Sequence, residues 1–164
     1  MFSKGFTAIE AIIAIFILTV AVIGVYSSFS RMAISTSILS SRLIASYLAK
    51  EGIEVIRNIR DTNWLTPQNW DTNLTDCVAG CEVDYKSDAL AAYNGKYLNI
   101  DANGFYSYST GQATKFKRKI TITPQKVKEE DEEYNILKVS ALIEWQERGE
   151  PYNFSAEGYL YDWY

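Results

Sequence analysis

The chain has 164 residues, with 20 Asp or Glu against 16 Lys or Arg, so its formal charge at neutral pH is −4. That balance argues against broad attraction to nucleic acid or anionic lipid. The absence of histidine removes imidazole-based catalytic triads and most zinc or iron sites.

Between residues 6 and 30 the only charged side chain is Glu10, and Lys4 and Arg31 bracket the segment. Its length fits one helix across the hydrocarbon core of a bilayer. Lys4 ahead of it places residues 1–5 on the cytoplasmic side by the positive-inside tendency, and the chain beyond Arg31 across the membrane. A lone acid costs roughly 2.5–3.5 kcal/mol at the centre of such a helix, so Glu10 calls for a partner. Helical spacing continues over residues 31–60, where Ile34, Ile38, Ala45, Leu48, Gly52, Ile56 and Ile59 fall three, four or seven apart. This stripe is expected to lie on a sheet, with Gly52 marking close approach to a strand. Glu54 with Arg57, and Arg57 with Asp61, stand at helical pairing distances. One helix from residue 6 to about residue 61 is expected, followed by roughly one hundred residues that make a single small domain.

Residues 61–115 read as a loop and hairpin region. Trp64, Pro67 and Trp70 point to an ordered loop, because the tryptophans need burial. Cys77 and Cys81 are the only cysteines; on the exported side they are a disulfide candidate, with two reduced thiols as the alternative. Residues 81–86 suggest a short strand. Residues 97–101 and 105–109 flank Ala102-Asn103-Gly104, a strong hairpin signal. Asn99, Asp101 and Asn103 also share the oxygen-ligand spacing of half a calcium loop. Thr110 stands where such a loop needs its glutamate, so the calcium site is incomplete and the turn reading is preferred; no other cofactor is suggested.

Residues 116–164 read as an antiparallel meander. Phe116, Arg118, Ile120 and Ile122 alternate with Lys117, Lys119, Thr121 and Thr123, and Pro124 is expected to end that strand. Leu137, Val139, Ala141, Ile143 and Trp145 share one face of the next strand, and Phe154, Ala156 and Leu160 one face of the last. An acidic run, Lys128-Glu129-Glu130-Asp131-Glu132-Glu133, joins the first pair, and Glu147-Arg148-Gly149-Glu150 the second. Arg118 on an apolar face is expected to reach a carboxylate at the sheet edge or on the helix. The fold class is therefore α+β: one long N-terminal helix, membrane-spanning in its first half, packed against a C-terminal antiparallel sheet.

Lys4-Gly5-Phe6-Thr7, Glu10 and Ala11-Ile12-Ile13-Ala14-Ile15 together resemble the leader and first helix of type IV pilins and pseudopilins, departing at Ala8, Ala11 and Ile12, where that family usually has leucines. Ala49-Lys50-Glu51-Gly52-Ile53-Glu54-Val55-Ile56-Arg57, the 116–122 strand and the segments 143–145 and 159–163 are similar to minor pilins of the pilus-modification class and minor pseudopilins of type II secretion. The resemblance implies a pilin-like fold and a prepilin with a class III signal, with residues 1–5 as leader, 6–30 as transmembrane and filament-core helix, and 31–164 as exported domain. It implies cleavage between Gly5 and Phe6 by a prepilin peptidase, N-methylation of Phe6, and an assembly role for Glu10, which could meet the new amine. Implied partners are other pilins or pseudopilins in a filament, the peptidase and methylase, an assembly platform in the bacterial inner membrane, and membrane lipid, with no nucleic acid. Implied function is a structural subunit, not an enzyme, ending in a cell-surface or periplasmic filament. A second class is a permanently anchored, exported recognition domain for polysaccharide or protein, using Tyr85, Tyr93, Tyr97, Tyr106 and Tyr108.

Overall fold

The structure is a computed structural model and describes residues 5, 7–87, 89–129 and 132–162; side chains at 129 and 132–134 are outside that description. Phe6, and Glu130 and Asp131 of the acidic run, therefore lie outside the described residues. Helix α1 spans Ala8–Trp64. No proline interrupts it, and it stops where Thr66 precedes Pro67, a position that disfavours helical backbone. Two compact units divide the chain, one up to Ser41 and one comprising Arg42–Tyr164.

In the second unit, a short 3-10 helix at Thr75–Cys77 is followed by β1 (Cys81–Glu82), β2 (Ala91–Ala92), β3 (Tyr97–Ile100), β4 (Tyr106–Ser107), β5 (Gln112–Glu129), β6 (Glu132–Glu147) and β7 (Glu150–Tyr161). All pairings are antiparallel: β5–β6–β7 form the meander, while β1 and β3 attach to the other side of β5 and carry β2 and β4. The β6–β7 connection is a two-residue turn in which Arg148 (φ 55°) and Gly149 (φ 87°) are both left-handed, the geometry that matches the twist of a tight hairpin. The α+β layout is thus as read from the sequence, with three adjustments.

β5 starts at Gln112, not Phe116, because Gln112 and Ala113 pair with Ile100 and Asn99. It also runs through Pro124, which sits opposite Leu137. β1 pairs with β5 at Ile120, and among the described residues no strand pairs with that side of β5 at Pro124, a setting in which a missing N–H is tolerated. Asp61 pairs with Arg60 rather than Arg57, at 2.7 Å, while Arg57 does pair with Glu54 at 2.6 Å.

The core lies between the 42–64 part of α1 and one face of the sheet. Ala45, Leu48, Ala49, Ile53 and Ile56 from the helix join Phe116, Ile120, Ile122, Val139, Ile143 and Leu160 from the strands. Each fully buried Leu or Ile contributes about 2 kcal/mol. At Gly52 helix and sheet approach closely: a Cβ added there would stand 2.8 Å from Ile120 Cδ1 and 3.0 Å from Arg118 Cδ. Buried Asn63 fastens the following loop to the helix by donating to the Trp70 and Thr72 carbonyls at 3.1 and 2.9 Å.

Candidate functional site

The apolar part of α1 begins with a cap. Glu10 Oε2 accepts the Thr7 N–H at 3.2 Å and the Thr7 hydroxyl at 3.1 Å, and Thr7 Oγ1 accepts the Glu10 N–H at 3.4 Å. This reciprocal arrangement is a capping box: it satisfies donors that the first helical turn leaves orphaned and sets a carboxylate at the positive end of the helix dipole. The signature Thr7-Ala8-Ile9-Glu10 is legible in the sequence. Glu10 thus has a local partner besides the terminal amine that the pilin resemblance implies.

Beyond the cap the helix is apolar on every side. Ile12, Ile13, Ile15, Phe16, Ile17 and Leu18 are all exposed, and at 100° per residue they cover the full circumference. Two hydroxyls of the segment are satisfied within it: Thr19 donates to the Ile15 carbonyl at 2.9 Å and Ser28 to that of Gly24 at 3.0 Å. A window of mean hydropathy 2.7 makes this helix long and apolar enough to cross a membrane.

In the second unit, the odd cation of the apolar face is fully buried and held by three oxygens. Arg118 donates to the carbonyls of Leu48 on the helix (3.1 Å) and Val83 (2.5 Å), and its guanidinium lies 3.5 Å from Glu51. The expected carboxylate is therefore on the helix, and two backbone carbonyls supplement it. Nearby, buried Asp84 accepts hydrogen bonds from the Lys86 and Tyr108 amides and the Ser87 hydroxyl at 2.9–3.0 Å. Burial alone would raise its pKa, but these bonds and the Arg118 charge outweigh it, leaving the carboxyl below the ordinary aspartate range. Tyr108 donates to the Arg118 carbonyl at 3.1 Å, and burial pushes its phenol up to about 12. Glu82, also buried, accepts the Asn94 and Lys96 amides at 3.0 and 2.9 Å.

Cys77 and Cys81 are joined as a disulfide, with Cα atoms 5.5 Å apart. Asp101 spends Oδ1 on the amides of Asn103 (2.8 Å) and Phe105 (2.9 Å), while Asn99 is in β3, paired with Ser107 and Ala113. Asp101 and Asn103 thus belong to the turn and Asn99 to the strand before it, and among the described residues no group of three or more Asp, Glu, Cys or His could hold a metal ion. The five tyrosines part company. Tyr106 and Tyr108 pack against the core, and Tyr85 tilts onto Phe105 with ring centroids 5.3 Å apart. Tyr93 and Tyr97 stand beside lysines of β5.

Fold and site together define an α+β protein whose N-terminal helix is long and apolar enough to cross a membrane and carries a capped acid at its start. Comparisons with protein-family models, curated proteins and solved structures returned no match to this chain.

Proposed function

We propose that the chain is a minor pilin or pseudopilin. It is made as a membrane-anchored precursor, cut between Gly5 and Phe6, methylated on Phe6, and drawn from the bacterial inner membrane into a type IV pilus or a type II secretion pseudopilus. The observation that carries this reading is an all-round apolar helix with a single carboxylate in its first turn, joined to an α+β head. Lipid tails and neighbouring apolar helices are comparable surroundings, so one helix surface serves both as anchor and as filament core. Cutting ahead of Phe6 creates an ammonium within reach of Glu10 of the same or a neighbouring subunit, and in low dielectric that charge is a stronger partner than the Thr7 hydroxyl.

The test joins two measurements. Mass spectrometry of the mature protein should find a methylated Phe6 at its N terminus. Glu10→Val should leave membrane insertion unchanged and lower filament incorporation about tenfold or more. Normal incorporation of the variant would count against the mechanism. The competing reading, a permanently anchored recognition domain, draws on the capping box, which gives Glu10 a complete local role; an uncut Met1 on the native protein would favour it.

A further inference from the structure

The face of the sheet turned away from α1 carries a row that crosses four strands. Phe116, Arg118, Ile120 and Ile122 point into the core, so Lys115, Lys117 and Lys119 project from the opposite face. Tyr97 is the cross-strand partner of Lys117, Lys117 of Glu144, and Glu144 of Asn153. These four residues line one open groove of about 480 Å³, together with Gln146 and Tyr152 among others, a volume typical of small-ligand sites. At about 4.8 Å per strand the row spans about 14 Å.

We propose that this groove binds a neutral oligosaccharide, with the Tyr97 ring as the stacking platform and Lys117, Glu144, Asn153 and Gln146 hydrogen-bonding to hydroxyls. Three observations carry this beyond a solvated sheet face. Tyr97 stays 50% exposed as a residue even with Lys117 Nζ 4.6 Å from its ring centroid, an apolar surface with a polar rim. The loop that leads into its strand, β3, is built in place: buried Glu82 takes the amides of Asn94 and Lys96, and left-handed Gly95 lies between them. Preorganised aromatic rings bind with little loss of conformational freedom. Charge balance selects the ligand. Glu147 pairs with Lys115, and Glu144 accepts from the Tyr93 hydroxyl at 3.3 Å, so carboxylates are interleaved with the lysines. A phosphate or sulfate polymer would meet repulsion and gain little counterion release, whereas alternating donors and acceptors suit hydroxyls of either role.

The full chain, in a detergent without a sugar headgroup, is titrated with cello-, chito-, malto- and manno-oligosaccharides and with oligo(dT). Binding of at least one neutral oligosaccharide is expected, little changed by salt and weakened about tenfold by Tyr97→Ala, with Tyr85→Ala as the exposed-ring control. Asn153→Leu, on an exposed position, should weaken binding even if Tyr97→Ala does not fold. Glu82→Gln should weaken it through the loop while far-ultraviolet circular dichroism stays unchanged. No binding of any of the four sugars at millimolar concentration overturns the proposal. So does salt-sensitive binding of oligo(dT) alone, or sugar binding indifferent to both Tyr97→Ala and Asn153→Leu. None of these outcomes depends on the N-terminal processing or the filament.

Discussion

Arg118 shows how a single residue can tie three parts of the head together. Its guanidinium spans the Leu48 carbonyl, Glu51 and the Val83 carbonyl, and it has no exposed surface. Arg118→Met keeps most of the apolar stem but strands two carbonyls, so a loss of about 2 kcal/mol is expected in urea unfolding; an unchanged midpoint would remove the clasp from the account. The same neighbourhood sets the response to pH. Asp84 has a depressed folded pKa, so its contribution is present above the unfolded value, about 4, and is lost as pH falls through the folded one. Tyr108 is the opposite case. Its raised folded pKa gives a contribution complete below about pH 10 and lost as pH rises towards the folded value of about 12. Urea midpoints followed across pH should show a shallower acid limb in Asp84→Asn and a shallower alkaline limb in Tyr108→Phe. Identical limbs in wild type and variants would contradict the assignment.

Gly52 decides between two effects at the level of the helix. Helix propensity alone makes Gly52→Ala a gain of about 1 kcal/mol. The added Cβ, however, meets Ile120 Cδ1 at 2.8 Å and Arg118 Cδ at 3.0 Å, and overpacking costs about 1–3 kcal/mol. Ile120 and Arg118 are fully buried, which leaves them little room to retreat. A net loss of about 1 kcal/mol is therefore expected, read as a lower urea midpoint at unchanged slope; a gain would show that the interface yields. Much of this element was legible in the sequence because its periodicity and its single glycine on the stripe report packing directly: Ala45, Leu48, Gly52 and Ile56 are all buried. Pro124 misled because a missing N–H marks a strand end only where both sides of the strand are paired. The Glu82 and Asp84 anchors were not legible at all. Their partners are backbone amides between 2 and 24 residues away, and no side-chain pattern encodes those.

Taken whole, the molecule divides its chemistry between two compact units, one up to Ser41 and the other comprising Arg42–Tyr164. The buried core cluster begins at Ala45 and draws entirely on the second unit. Removing residues 1–30 should therefore release the protein from membranes into the soluble fraction while its unfolding midpoint changes by less than about 1 kcal/mol in free energy. A truncated chain that aggregates or melts early would show that the apolar segment contributes to the fold of the head.

Close contact between Gly158 of β7 and Ile53, where an added Cβ would stand 3.2 Å from Cγ2, has a consequence for the order of events in biogenesis. The helix emerges from the ribosome long before the strand against which Ile53 rests, since β7 is the last of the strands among the described residues. Until that strand arrives, the oily side of the 42–64 segment has no finished seat. Any machinery that threads this polypeptide from its amino end must shield that stripe, or wait, until the final hairpin closes over it.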